Sequence, residues 1–396
     1  MVCCQSRGGK LKKVGMAVVV AGLLTVFCAG GAEPAVDDGS AASVDTFLTS
    51  VTKPEEPGLA VLVKANGQVV FAKGYGVREL RTHAKIAPET NFRLASFTKQ
   101  FTAMAIMLLV HDGKLRYDDH LTDIFADFPA YGKAITVRNL LNHTSGLPDY
   151  EDLMEKEEKT GASRWSVERQ IQDSEVLALL EKQSAGKFAP GTGWSYSNSG
   201  YVVLGLIVAK VAGVPYGDFL EQRIFAPLHM KHSIVYVKGK NESSERAYGH
   251  SRENGKLVET DQSSTSATLG DGGVYSNVDD LAKWDEALQM HMLLSGKEMA
   301  PALTPVKLAD GSEPHWPSNP HDGDNLAPGK PVAYGFGWFL DPYQGHPRMW
   351  HSGSTMGFRT IIQRFTEDGL TVVILCNRAD LDTKALAEKI ADMTLC

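Results

Sequence analysis

The sequence predicts an α+β protein: one antiparallel sheet built from both chain ends, with helices packed on it and a mainly helical lobe inserted between. Three observations predict it. Near the start, two apolar strand-length runs, 58–64 and 68–75, flank Asn66-Gly67, a hairpin signal. At the end, runs 334–340, 348–351, 358–366 and 371–377 form a second set, with Glu367-Asp368-Gly369 turning the last two against each other. Between these sets, apolar residues recur at helical spacing and are bounded by cap and stop residues. Strands at the two ends around a helical middle pack most simply as one sheet closed by both termini.

Taken in order, Arg7, Lys10, Lys12 and Lys13 precede the apolar run 14–29 and the small residues Gly30, Gly31 and Ala32. That order predicts a secretory signal peptide over 1–32, cleaved after Gly30-x-Ala32. The run is short for a membrane span of about 20 residues, so no stable span is expected after its removal. Bulky Val26 and Phe27 before Cys28 rank lipid anchoring below simple export to the periplasm or beyond. Residues 33–42, small and acidic, read as a disordered leader. The rest, 43–396, exceeds what one compact core accommodates, so two lobes are expected: a sheet lobe at about 43–95 and 332–396, and a helical lobe at about 96–331. Helices are expected at 44–51, 96–112 closing at Gly113, 137–142, 174–183, 201–211 closing at Gly213, 279–292 and 381–393. The charged stretch 152–159 reads as a solvated loop, and 303–331 as a surface excursion or the rim of a cleft.

Loss of 1–32 removes four positive and no negative side chains, taking the net charge from −7 to about −11. An acidic chain without a basic stripe argues against nucleic acid and anionic membranes as partners. Cys3, Cys4 and Cys28 leave with the signal, so Cys376 and Cys396 either pair or leave Cys376 buried and free. No cysteine–histidine cluster suggests zinc, and no metal or other cofactor is expected.

The chemistry is read from three segments. In Leu94-Ala95-Ser96-Phe97-Thr98-Lys99, a hydroxyl and an amine stand three residues apart at a helix start, neighbours at roughly 5–6 Å between Cβ atoms. From Phe101 to Val110 every residue but Thr102 is apolar, so the helix is buried all round, and burial favours the neutral amine that a lysine base needs. Ser-x-x-Lys recurs at Ser50/Lys53 and Ser184/Lys187, but neither of those pairs opens a long apolar helix. Ser96 is therefore the candidate nucleophile and Lys99 its base. The second segment places Tyr196-Ser197-Asn198 after the Pro190-Gly191 turn, offering a phenol to move protons and an amide to hold a carbonyl. The third, His351-Ser352-Gly353-Ser354, ends a strand, and Gly353 permits close backbone approach. The N–H groups of Ser96 and Ser354 are then candidates for an oxyanion hole. No Gly-x-Ser-x-Gly elbow occurs, which argues against an α/β-hydrolase.

In this order the three segments resemble the serine β-lactamase and penicillin-binding-protein-like hydrolases, which use Ser-x-x-Lys, Tyr-x-Asn and Lys/His-x-Gly. The resemblance runs from about residue 58 to 377 and includes the phrases 141–148, 227–230 and 272–276. It implies the α/β sandwich of the β-lactamase/transpeptidase type. It also implies Ser96 as acylated nucleophile, Lys99 as acylation base, Tyr196 as proton shuttle, and Asn198 with the 351–354 strand as substrate holders. The second Tyr-Ser-Asn, at Tyr275, matches a structural turn in that family. His351 departs from the usual lysine: with a reference pKa of about 6.5 it is a weaker anchor for a substrate carboxylate. Histidine there is similar to D-amino-acid peptidases and lactamase-like esterases. The expected activity is serine acyl-transfer on small esters, D-amino-acid peptides or β-lactams. The alternatives are a D,D-carboxypeptidase acting on peptidoglycan peptides and an inactive peptide-binding scaffold.

Overall fold

The computed structural model describes residues 38–161, 164–243, 245–319 and 326–395. The expected signal peptide, Cys28 and Cys396 lie outside them.

The first helix, α1 (Asp38–Val51), buries Val44 and Leu48, four residues apart on one face. It starts six residues before the expected 44, so the helix takes in 38–42 of the expected leader; Ala41 and Ala42 are good helix formers that extend the turn outward from the anchor. The hairpin of β1 (Leu59–Ala65) and β2 (Gln68–Tyr75) turns at Asn66 and Gly67, with φ of 51° and 78°, as a two-residue turn with right-handed strand twist demands. Then come β3 (Phe92–Arg93), a single 3₁₀ turn over Ala95–Thr98, and α2 (Lys99–His111), buried continuously from Lys99 to Leu109.

The helical lobe continues through α3 (Leu121–Ile124), α4 (Val137–Leu141), α5 (Tyr150–Lys159), α6 (Asp173–Glu181), α7 (Asn198–Ala212) and α8 (Tyr216–Leu220). Short strands β4 (Ile234–Val235), β5 (His250–Glu253), β6 (Lys256–Glu259) and β7 (Val274–Ser276) precede α9 (Val278–Gln289) and α10 (Gly296–Met299). The expected loop at 152–159 is instead part of α5. Asp149 caps it by accepting the Glu151 N–H, acidic residues fill its first turn and lysines its last, and Tyr150, Leu153 and Met154 are buried. The second Tyr-Ser-Asn ends β7 and caps α9, where Asn277 accepts the Asp280 N–H.

The chain returns as β8 (Arg348–Thr355), β9 (Phe358–Phe365), β10 (Leu370–Cys376) and α11 (Thr383–Asp392). The sheet order is β2-β1-β10-β9-β8 with antiparallel pairing throughout, so both termini do build it. Alternation divides its side chains between two cores. Leu62, Ile362 and Val373 face the helical lobe, whereas Val61, Ile361 and Ile374 join Val44 of α1 and Ile390 of α11. Residues 334–340 are not the expected strand. They form only isolated bridges, Tyr334 to Phe339 and Phe339 to Trp350. Gly337, at φ 75°, folds the segment against α2, where a Cβ would stand 2.8 Å from the Lys99 carbonyl oxygen. The 303–331 stretch adds buried Trp316 to a cavity wall, which is the cleft-rim reading. Among the described residues Cys376 has no disulfide partner; it is buried, and burial pushes its thiol up to about 12.

Candidate active site

Ala95 holds φ at 50°, a left-handed conformation rare outside glycine. This bend turns the chain from β3 into α2 and leaves Ser96 partly exposed on the 3₁₀ turn. The bend is clamped by the sheet: Thr360 Oγ1 donates to the Leu94 carbonyl at 2.7 Å. Gly353 of β8 lies so close that a Cβ there would meet the same carbonyl oxygen at 2.0 Å.

Lys99, the first residue of α2, is fully buried. Its Nζ donates to Ser96 Oγ at 3.0 Å, Asn198 Oδ1 at 2.7 Å and the Asp271 carbonyl at 3.1 Å. Three acceptors around one ammonium fix its direction onto the serine. The same nitrogen sits 4.8 Å from the Tyr196 ring centroid. Tyr196 and Asn198 flank Ser197, whose Oγ accepts the Gly200 N–H and caps α7; the helix thus starts at Asn198, three residues before the expected 201.

His143 holds this segment in place. Its carbonyl accepts the Ser195 N–H at 3.0 Å and its Nδ1 accepts the Ser197 N–H at 3.1 Å, while its ring lies 4.5 Å from that of Tyr196. An accepting Nδ1 assigns the proton to Nε2. Burial, then the positive charge of Lys99, keeps the imidazole well below its ordinary pKa and so neutral. Sequence reasoning noted the 141–148 phrase but gave His143 no role, since a backbone clamp across 54 positions leaves no local signal. Asp271 was likewise missed: besides the carbonyl bonded to Lys99, its buried carboxylate accepts from Tyr150 at 3.3 Å.

Ser96, Asn198 and Ser354 line one cavity of about 430 Å³, with Arg93, Asp271 and the α5 carboxylates of Glu151, Glu155 and Glu158. Trp350 spends both its N–H and its C=O on Phe339. By the two-residue repeat of a strand, Ser354 presents its backbone groups on that same open edge, as an oxyanion donor requires. His351 is the correction. It does not line this cavity; it is buried, with Nε2 3.1 Å from the Tyr334 hydroxyl and Nδ1 2.7 Å from the Ser352 carbonyl. Burial, then Lys99, lowers its pKa to about 3, so it offers a substrate no positive charge. The cause is strand alternation, which turns 351 and 353 inward and leaves Ser354 exposed. Among the described residues no group of three or more histidines, cysteines or acids is placed to hold a metal ion.

A serine at a strained bend, bonded to a buried lysine and backed by a tyrosine and an asparagine, defines a serine hydrolase of the Ser-x-x-Lys type. The chain belongs to the β-lactamase family, whose profile matches residues 44–394. It is similar to penicillin-binding protein 4* of Bacillus subtilis (strain 168), 31% identical over 353 residues, which cover 85% of this chain and 72% of that one. Among solved structures it resembles the octameric penicillin-binding protein homologue from Pyrococcus abyssi, with 27% identity and a TM-score of 0.72 over 91% of this chain and 77% of the other. It also resembles the D-amino acid amidase from Ochrobactrum anthropi SV3 in complex with D-phenylalanine, with 26% identity and a TM-score of 0.70 over 91% and 98%.

Proposed function

We propose that this hydrolase is an exported amidohydrolase that cleaves short D-amino-acid peptides or amides bearing a free ammonium group, through an acyl-enzyme on Ser96. The observation that carries the reading is the lining of the catalytic cavity, where exposed Glu151, Glu155 and Glu158 form an acidic lip that outnumbers the Arg93 guanidinium, and His351 supplies no cation. Such a lip attracts an ammonium and repels a carboxylate at that end of the cavity. The similarity to a D-amino acid amidase supports the D-configuration.

In the reaction, Lys99, once its ammonium has given up a proton, takes the Ser96 hydroxyl proton as Oγ attacks the carbonyl carbon. The developing oxyanion receives the N–H groups of Ser96 and Ser354. Tyr196, over Lys99, returns the proton to the leaving nitrogen, the C–N bond breaks, and the acyl group remains on Ser96. Water then adds to the ester, its proton leaving by the same relay, and the carboxylic acid departs.

The test is kcat/KM for D-phenylalaninamide, its L-enantiomer and N-acetyl-D-phenylalaninamide, with Ser96→Ala as control. Preference for the free-amine D-substrate by tenfold or more is expected. Equal rates for the acetylated substrate would overturn the ammonium assignment, and activity surviving in Ser96→Ala would overturn the nucleophile. A Ser96-dependent penicilloyl adduct without amidase activity would favour the second reading, a D,D-carboxypeptidase, which the open β8 edge and the penicillin-binding relatives suit. Export is tested by the N-terminal mass of protein recovered from outside the cell; an intact Met1 would refute cleavage.

A further inference from the structure

Along β8 the catalytic cavity has a larger neighbour. A second, of about 740 Å³, meets it at Ser354, which lines both. One wall is aromatic: Trp316 stacks on Phe339 at 5.6 Å between centroids and Phe339 on Trp350 at 4.7 Å. The other wall carries Arg359 of β9, the register partner of Ser354.

The charges around this cavity are unevenly satisfied. Asp341 accepts from Arg348 at 2.5 Å, and Asp382 caps α11 by accepting the Ala385 N–H at 3.0 Å. Asp380 accepts from Arg378 at 2.7 Å and Arg252 at 3.0 Å. Lys384 is paired with Glu388 at 2.5 Å. Arg359 differs. Its Nη1 donates only to the carbonyls of Thr355 and Phe358, at 2.8 and 2.7 Å, and it makes no ion pair among the described residues. A half-buried guanidinium that hydrogen-bonds only carbonyls, with Asp380 acting on it through its field and not by direct contact, keeps a free edge suited to a carboxylate fork.

We propose that this second cavity is a substrate subsite for an acidic group on an apolar stem, with Arg359 binding the anion and the Trp316–Phe339–Trp350 wall receiving the stem. The proposal rests on the reading of Ser96 as nucleophile. A substrate crossing the open β8 edge at Ser354 has its reacting carbonyl at Ser96 and its acidic end at Arg359. Together with the acidic lip of the first cavity, the two hollows fit a peptide positive at one end and negative at the other.

The test uses arylboronic acids, which add reversibly to a reactive serine. Inhibition constants are measured for a series with one or two rings between boron and a carboxylate, each against its neutral carboxamide. At least one carboxylate is expected to bind tenfold tighter than its carboxamide. In Arg359→Gln that ratio falls to near one, and Arg359→Lys keeps part of it; a ratio cancels any general loss of folded protein. Ratios near one throughout the wild-type series, or a preference that survives Arg359→Gln, would overturn the subsite while leaving the serine hydrolase intact. Boronates that fail to bind at all, or that bind equally to Ser96→Ala, would remove the Ser96 reading and the subsite with it.

Discussion

Gly353→Ala adds one methyl group at the point where the sheet clamps the bend that carries Ser96. The new Cβ would lie 2.0 Å from the Leu94 carbonyl oxygen, 2.4 Å from Thr360 Oγ1 and 3.1 Å from Ala95 Cβ. An ordinary C···O contact is about 3.3 Å, so β8 and the 94–96 bend must separate by roughly 1.3 Å along that line. Neither side yields freely: β8 pairs along its length with β9, and the bend is bonded to Thr360. Overpacking of this kind costs about 1–3 kcal/mol of stability. The larger effect falls on catalysis, because the displaced atoms carry both Ser96 and the Ser354 N–H. A misplacement of about 1 Å lowers rate on the order of a hundredfold, equivalent to about 2.7 kcal/mol in the barrier. The assay is the acylation burst with an activated ester, beside urea unfolding of the same preparation. A variant that folds and acylates within threefold of wild type would refute the claim that glycine is required for this approach.

Three further outcomes follow from buried groups. Asp285, under the sheet, accepts from Lys64 at 2.7 Å, Arg364 at 2.6 Å and Thr371 at 2.8 Å; Asp285→Ala strands two cations and should cost about 3–5 kcal/mol in denaturant unfolding, with a loss under 1 kcal/mol counting against it. His351 titrates near 6.5 when unfolded and at about 3 when folded, so between those values the unfolded chain takes up the proton and stability falls by about 1.36 kcal/mol for each unit that pH is lowered. His351→Gln should flatten that slope by one proton, and an unchanged slope of unfolding free energy against pH would exclude the assignment. His143→Phe keeps the ring but leaves the Ser197 N–H without its acceptor, at about 1–3 kcal/mol. Its kcat should fall more than KM rises, since Tyr196 shifts while the cavity lip stays; a pure KM effect would contradict this.

The family and the Ser96–Lys99 pair were legible because both depend on short spacing. Three residues on one turn, an apolar helix and a hairpin dipeptide are local facts, and the two strand sets at the chain ends imposed the sheet that the fold displays. The charged 152–159 stretch was misread because its composition is that of a solvated surface; its helix rests on Asp149 as cap and on Leu153 and Met154 packing inward. The 334–340 run has strand composition, yet Gly337 lets it fold against α2 and Gly335 against the Ala302 carbonyl rather than extend.

By itself the sequence singled out Ser96 and Lys99 as candidate nucleophile and base and set the order of the segments and the alternation along each strand, all of which follow from neighbours a few residues apart. Only the tertiary structure decided that His351 is a buried neutral ring, that His143 clamps the Tyr196 segment, that Asp271 meets Lys99 across 172 positions and that Arg359 makes no ion pair among the described residues. Those depend on which distant groups share a low-dielectric space, and that is set by how the lobes pack, which no local spacing encodes.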